Sequence, residues 1–342
     1  MNRFHASALS LLLAAGFAGV VGCSAPAAPA AQPAAQPTAQ PADQPDADPS
    51  PSSSYPITVS NCGTEVTLTA APERIVAIKS TSLETVLALG LGGKVVGTAF
   101  LDGPVPEPLA AEAEGLPALS DAAPSQEVVL ESEPDFIYAG WESNLSAEAA
   151  GERDVLASLG VSTYVSPAAC REEGVPGKLT FESVFADITE AGALLGAPDA
   201  AAALVAEQRK TLAGVEPAGA GQTAFWFSSG RDTPYAGGGL GAPQMMMETL
   251  GLENIAADVE ESWASLGWET VVAANPDVIV LVDADRNTAE SKKELLAANP
   301  ATAGMDAVIN ERYLILPFAA AEAGVRNADA VADLADQLAK LP

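Results

Sequence analysis

Residues 127–137 read EVVLESEPDFI, and residues 269–279 read ETVVAANPDVI. In each stretch a glutamate stands seven residues before a Pro-Asp pair, and the pair opens an apolar run. This pattern predicts a short helix, a proline stop and a buried strand, once in each half of the chain. The doubling indicates two lobes of like topology. The alternative is a chance similarity between two generic connections of an α/β protein.

Predicted strands and helices alternate in both halves of the chain. Thr81 and Glu84 have the spacing of a capping box ahead of an apolar helix at 86–91. The other elements of the first half are a hairpin at 55–68, strands at 74–78, 94–98, 135–139 and 161–165, and a helix at 154–159. Those of the second half are strands at 224–227, 278–282 and 313–317 and helices at 243–250 and 327–341. Such alternation predicts an α/β fold with two mostly parallel sheets, as in Rossmann-like lobes.

One long helix is predicted between the two halves. Pro198 suits the first helical position, and residues 200–213 are almost all good helix formers. The predicted domains are therefore an N-terminal lobe at 56–197, a bridging helix at 198–214 and a C-terminal lobe at 215–342. Because a lone helical connector resists bending, we expect modest closure of the lobes on a ligand.

The N-terminus has the pattern of an exported lipoprotein. A mostly apolar run at 8–21 follows a basic start and is too short to span a bilayer, which predicts a signal peptide at 1–22. Small residues precede Cys23, as lipoprotein signal peptidase requires, so we expect lipidated Cys23 to anchor the chain at the extracytoplasmic face of the membrane. An ordinary secretory signal is the alternative.

Residues 23–55 have the composition of a tether that starts at the cysteine we expect to be lipidated. After Cys23 the segment is mostly Ala, Pro, Gln, Asp and Ser with no apolar period, so it cannot bury enough surface to fold by itself.

Composition excludes several classes of function. The chain has 45 acidic and 16 basic side chains, a formal charge of -29, which disfavours nucleic acid and anionic membranes as partners. Its one histidine is His5, inside the predicted signal peptide, so His-based catalysis and His-ligated zinc are excluded from the mature chain. We therefore expect a binding protein and not an enzyme, with no metal and no cofactor. Two alternatives stay open: an extracellular enzyme using Asp283, Asp285 or Glu269, and a structural surface protein.

Two cysteines follow the predicted lipidation site. Cys62 and Cys170 belong to an exported chain, and an oxidising compartment favours a disulfide between them. Two buried thiols are the alternative.

A family resemblance rests on the cysteine motif at Cys23, the hairpin turn at 61–63 followed by APERIVA at 71–77, and the doubled block. These features resemble the solute-binding lipoproteins of ATP-binding-cassette (ABC) importers, in the helix-hinged class that binds ferric siderophores and cobalamin. The resemblance implies a helix-hinged periplasmic-binding-protein fold, a small-molecule ligand and an ABC permease as partner, and we expect a monomer. In this class each lobe presents a glutamate to permease arginines, and the matching residues are Glu127 and Glu269.

The ligand is suggested by a narrower resemblance. Residues 97–104, 139–144, 164–170 and 241–245 are similar to an actinobacterial subgroup named as binding proteins for a precursor of coenzyme F-420, the 5-deazaflavin that lacks its glutamate tail. The resemblance implies a deazaflavin ligand. The alternative of the same fold is a ferric siderophore or cobalamin.

Candidate ligand-binding residues follow the predicted strands, because ligands of open α/β lobes bind beyond the carboxyl ends of the strands. Their aromatic rings suit stacking on a planar ligand, and their cations, scarce elsewhere, favour an anionic one. Residues 232–244 and 322–326 should border the same cleft. The candidates are Lys79, Ser80, Thr81, Phe100, Trp141, Glu142, Ser143, Asn144, Ser166, Ser228, Ser229, Arg231, Tyr235, Trp268, Asp283, Arg286, Phe318 and Arg326.

Overall fold

The computed structural model describes residues 55–342. The predicted signal peptide, the predicted lipidation site Cys23 and all of the predicted tether except Tyr55 lie outside the described residues. Within 55–342, no helix is both long enough and apolar enough to cross a membrane.

The N-terminal lobe contains a hairpin and a parallel sheet. Strands β1 (Ile57–Asn61) and β2 (Thr64–Leu68) pair antiparallel. The sheet has the order β5-β4-β3-β6-β7, and all its strands are parallel. Its strands are β3 (Ile75–Ile78), β4 (Val95–Ala99), β5 (Ala118–Ser120), β6 (Phe136–Ala139) and β7 (Ser162–Val165). The helices are α1 (Ser80–Ala88), α2 (Ala110–Ala113), α3 (Gln126–Glu131), α4 (Arg153–Ser158) and α5 (Phe181–Leu194).

The C-terminal lobe contains a mixed sheet in which β8 is parallel to β10 and β12, and β12 to β13, whereas β9 and β11 are antiparallel additions at one edge. The strands are β8 (Thr223–Ser229), β9 (Tyr235–Gly237), β10 (Glu253–Asn254), β11 (Trp263–Ser265), β12 (Val278–Asp283) and β13 (Tyr313–Pro317). The helices are α7 (Ala242–Thr249), α8 (Trp268–Ala274), α9 (Ala289–Ala298), α10 (Asp306–Ile309), α11 (Phe318–Ala321) and α12 (Asn327–Leu338).

The long helix α6 (Pro198–Ala213) connects the two lobes. It packs against α5 of the first lobe and α12 of the second. The contact with α5 is close, since a Cβ on Gly192 would lie 2.3 Å from the Cβ of Ala201. The predicted fold class, two α/β lobes joined by one long helix, is confirmed.

The repeated block has the same conformation in both lobes. Glu133 and Asn275 both adopt a left-handed φ, of 48° and 42°, before the proline. The side chain of Asp135 then accepts hydrogen bonds from the backbone just before β3, and Asp277 accepts one from the backbone N–H of Thr223 in β8. The Pro-Asp pair thus fixes the start of one central strand against its neighbour in each lobe.

The predicted capping box at Thr81 and Glu84 is wrong. Helix α1 begins at Ser80, so both residues lie inside it, and its N-cap is Lys79, which makes no side-chain cap. Lys79 has a left-handed φ of 82° and turns the chain directly from β3 into α1, leaving no room for a separate cap further on. Glu84 is instead buried.

Candidate functional site

A cavity of about 670 Å³ lies between the two lobes. Residues that follow β6, β7 and β13 line it, together with the last two residues of β8. It therefore stands at the carboxyl ends of parallel strands, where α/β proteins bind ligands. Its volume falls within the range of about 300–1,000 Å³ that is usual for small-molecule sites.

Both lobes contribute to the wall of this cavity. From the N-terminal lobe come Thr81, Gly140, Trp141, Ser166, residues 168–171, Val175, Pro176 and Leu179. From the C-terminal lobe come Ser228, Ser229, Tyr235, residues 240–242 and 260–263, Phe318, Glu322 and Ala323. The lobes also touch beside the cavity, where the backbone N–H of Leu179 donates to the carbonyl oxygen of Leu240 at 2.7 Å.

Four aromatic side chains line the cavity: Trp141, Tyr235, Trp263 and Phe318. The rings of Tyr235 and Trp263 stack with centroids 6.1 Å apart and an angle of 15° between their planes. Trp141 meets Phe100 edge to face at 5.6 Å, and its backbone N–H is held by the side chain of Asn144. The walls thus offer preset aromatic surfaces to a planar ligand.

Lys79 lies behind the aromatic wall. Its side chain is only 1% exposed and forms an ion pair with Asp102. The Lys79 ammonium lies 3.8 Å from the ring centroid of Trp141 and 5.1 Å from that of Phe318, which belongs to the other lobe. Such cation–π contacts orient both rings. Gly140 permits this packing, because a Cβ there would lie 2.6 Å from the Cβ of Lys79.

The charges of the cavity do not match the expectation of a cation-rich site. Lys79 is neutralised by Asp102, and Arg326 is neutralised by Glu84. Arg231 and Arg286 do not line the cavity. Of the cations in residues 55–342, Arg171 is the one in its wall, and it shares the wall with the carboxyl groups of Glu260, Glu261 and Glu322. The sequence argument for an anionic ligand is therefore not supported, because it counted cations without their partners.

Glu322 is the buried acid of the site. Its Oε1 accepts a hydrogen bond of 2.6 Å from the indole Nε1 of Trp141, across the two lobes. Burial raises the pKa of Glu322 to about 7, and the nearby Asp102 adds to the rise, whereas Lys79 and the Trp141 hydrogen bond oppose it.

The predicted ligand-binding residues fall into three groups. Those that line the cavity are Thr81, Trp141, Ser166, Ser228, Ser229, Tyr235 and Phe318. Those that hold the wall or the lobe contact from behind are Lys79, Ser80, Phe100, Glu142, Asn144 and Arg326. Those that the structure places away from the cavity wall are Ser143, Arg231, Trp268, Asp283 and Arg286.

Trp268 and Asp283 lie elsewhere for clear physical reasons. Trp268 packs edge to face on Phe227 at 5.4 Å inside the core of the C-terminal lobe, and its indole donates to the carbonyl oxygen of Arg231. Asp283 accepts from the backbone N–H of Ala289, at the start of α9. Both side chains make these contacts within the C-terminal lobe.

Sequence reasoning missed Trp263, Arg171 and the residues around them. Trp263 belongs to the short strand β11, which follows an irregular segment with no readable period. The sequence did contain a signal for the region around Arg171, namely the predicted disulfide. Cys62 and Cys170 are joined by a disulfide, which connects the cavity wall at Cys170 to the hairpin β1–β2.

Glu127 and Glu269 occupy equivalent positions. Each is the second residue of a short helix, α3 and α8, and each side chain is exposed. Within residues 55–342, neither glutamate takes part in an ion pair.

Comparison with known proteins identifies the family. Residues 75–320 match the family model described as periplasmic binding protein. The chain belongs to this family. It is the solute-binding component of an ABC importer, acts outside the cytoplasm with a permease as partner, and is not an enzyme.

The relatives of this periplasmic binding protein are named for different ligands or for none. It is 26% identical over 292 residues to an uncharacterized ABC transporter substrate-binding lipoprotein of Bacillus subtilis, covering 83% of this chain and 86% of the relative. It is 31% identical over 252 residues to a cobalamin-binding protein of Halobacterium salinarum, covering 70% of this chain but only 62% of the relative. A solved ABC-type Fe3+-hydroxamate transport protein of Saccharomonospora viridis superposes with a TM-score of 0.72 at 26% identity, covering 83% of this chain and 99% of that one.

Proposed function

We propose that this periplasmic binding protein captures a planar aromatic solute of the deazaflavin type between its lobes and delivers it to its permease. The observation that carries the proposal is the cavity wall of Trp141, Tyr235, Trp263 and Phe318, supplied by both lobes. Planar rings stack on such walls. The cavity-lining hydroxyl groups, those of Ser166, Ser228 and Ser229 among them, suit a hydroxylated side chain on the ring system.

A ring system without a strong negative charge fits this wall best. Arg171 is exposed at the wall, and the carboxylates at positions 260 and 261 line the same cavity. A deazaflavin with only a ribityl chain on its ring system requires no cluster of free cations.

Titration of the purified protein tests the ligand. We expect 5-deazaflavin with a ribityl chain to quench tryptophan fluorescence with a dissociation constant in the micromolar range or below. Cobalamin and a ferric hydroxamate are the comparison ligands. Binding of either one without any response to the deazaflavin would reject the proposal.

Cobalamin or a ferric siderophore is the second candidate. The 31% identity to the cobalamin-binding protein and the likeness to the Fe3+-hydroxamate transport protein favour it. Mass spectrometry of the solute that the protein carries from its own host separates the candidates directly.

We further propose that Glu127 and Glu269 dock on arginines of the permease. Their equivalent places in the first turns of α3 and α8 leave both carboxylates exposed, and a carboxylate matches the fork of an arginine. The double variant Glu127→Ala, Glu269→Ala should bind solute normally and fail to support uptake. Glu207→Ala with Glu294→Ala, two exposed helical glutamates, is the matched control and should retain uptake.

The anchor and the oligomeric state are part of the same proposal. Lipidated Cys23 would keep a monomer within reach of the permease. We expect Cys23→Ser to release the protein from the membrane, and light scattering to give the mass of one chain. Retention of the variant in the membrane fraction would contradict the anchor.

A further inference from the structure

Two buried polar atoms in the cavity wall have no hydrogen-bond partner within residues 55–342: Oε2 of Glu322 and Oγ1 of Thr81. Buried polar atoms are nearly always hydrogen-bonded, because leaving one without a partner costs its full desolvation. Two such atoms in one cavity therefore mark a place where a bound molecule supplies the missing partners.

The two residues belong to segments of the cavity wall that pack near one another. Thr81 is in the first turn of α1 and is 5% exposed. A Cβ on Gly140 would lie 2.7 Å from its Oγ1, and a Cβ on Gly324 would lie 3.5 Å from its Cγ2. Thr81 thus packs between the strand end that carries Trp141 and the segment that carries Glu322.

The orientation of the Glu322 carboxyl group is fixed. Its Oε1 accepts the 2.6 Å hydrogen bond from Trp141 Nε1, so rotation of the group would break that bond. Oε2 is consequently held as an acceptor, and the hydroxyl of Thr81, a residue that lines the same cavity, can donate.

An acceptor and a donor on residues of one cavity wall complement a ligand edge that carries a ring N–H and an adjacent carbonyl group. We propose that Glu322 and Thr81 form a subsite for the N–H and adjacent carbonyl of a heterocyclic imide or amide, so that this edge of the ligand lies on the cavity wall. The inference rests on the proposed function and names the part of the planar solute that the site selects.

The subsite also links binding to pH. Glu322 titrates near neutral pH, and the charged groups that face it are Lys79 and Asp102 of the other lobe. A ligand N–H donates to the ionised carboxylate and favours that form, so binding lowers the pKa of Glu322 and releases a proton. Affinity should therefore rise as the pH increases through about 7, the value to which the pKa of Glu322 is raised.

The test compares two probes, 5-deazaflavin with a free imide N–H and the same molecule methylated at that nitrogen. By fluorescence titration, the wild-type protein should prefer the free imide by about tenfold or more, the usual effect of a hydrogen bond to a charged group. Glu322→Leu should lose most of this preference, whereas Thr81→Val, which lacks the donor to the carbonyl group, should bind both probes more weakly. Glu294→Gln changes an exposed carboxyl group outside the cavity wall and should keep the preference.

A second variant covers the case in which Glu322→Leu does not fold. Glu322→Gln keeps its amide oxygen on the indole N–H of Trp141 and so places its NH2 group where Oε2 stands, and it cannot ionise. It should therefore lose both the preference for the free imide and the pH dependence. Equal binding of the two probes by the wild type would overturn the subsite while the proposed function stands. Binding of neither probe would overturn the proposed function and the subsite with it.

Discussion

The guanidinium of Arg326 donates to both carboxylate oxygens of Glu84, and this bidentate ion pair joins the C-terminal lobe to the N-terminal lobe. Glu84 is only 1% exposed, and burial raises its pKa despite the attached arginine. Arg326 donates in addition to the carbonyl oxygen of Pro104. The interface beside the cavity therefore contains a buried carboxylate, that of Glu84, whose charge is compensated by one partner, Arg326.

We expect Arg326→Met to destabilise the protein by about 3 kcal/mol, because it leaves the Glu84 carboxyl group buried without its partner. Urea unfolding at neutral pH measures the loss. The double variant Glu84→Gln, Arg326→Met should recover a large part of it. Arg209→Met, which breaks the exposed ion pair with Glu182, should leave the unfolding midpoint unchanged; equal effects at the two sites would contradict the prediction.

Fluorescence should separate the four tryptophans into two classes. Trp141 and Trp263 line the cavity, whereas Trp226 and Trp268 lie in the cores of the protein. We expect Trp141→Phe and Trp263→Phe to lose most of the ligand-induced quenching. Trp226→Phe and Trp268→Phe should retain it even where they lower the melting temperature. Loss of quenching in the core variants alone would show that the ligand binds elsewhere.

The disulfide should support both stability and the cavity wall. Cys62 and Cys170 are 108 residues apart, so their bond restricts the unfolded chain strongly and contributes about 2–4 kcal/mol. We expect the double variant Cys62→Ser, Cys170→Ser to unfold at lower urea concentration and to bind the solute several-fold more weakly, because Cys170 and Arg171 lose their tie to the hairpin. Calorimetric titration measures the binding. Unchanged affinity in the folded variant would show that the wall stands without the bond.

A buried acid outside the cavity should make stability depend on pH. Burial raises the pKa of Asp187, on α5, from 3.8 to about 7, and the neighbouring Glu190 adds to the rise. Since the folded-state pKa lies above the unfolded one, the protein loses stability as the pH rises from the ordinary value of the group through about 7.

Asp187→Asn should accordingly match the wild type at about pH 4 and exceed its stability by about 2 kcal/mol at about pH 8. Urea unfolding at the two pH values gives the comparison. Asp285→Asn, at an exposed position, is the control and should show the same difference from wild type at both pH values. A constant advantage of Asp187→Asn at every pH would rule out ionisation as its cause.

Much of the candidate site could be predicted because it follows from the strand order. Ser166, Ser228 and Phe318 come directly after predicted strands, and they line the cavity for that reason. Trp268 could not be separated from them, because a tryptophan at the start of a helix has the same sequence signature whether it faces the cavity or the core. Its position was decided by packing on Phe225 and Phe227.

The sequence by itself determined the two lobes, the bridging helix and the repeated glutamates, since each rests on local periodicity or on residues a few positions apart. Only the tertiary structure decided which charges face the cavity. Arg326 and Glu84 are 242 residues apart in the chain, and Trp141 and Glu322 are 181 apart. A charge is free or neutralised according to the partner that the fold brings to it, and no local pattern contains that partner.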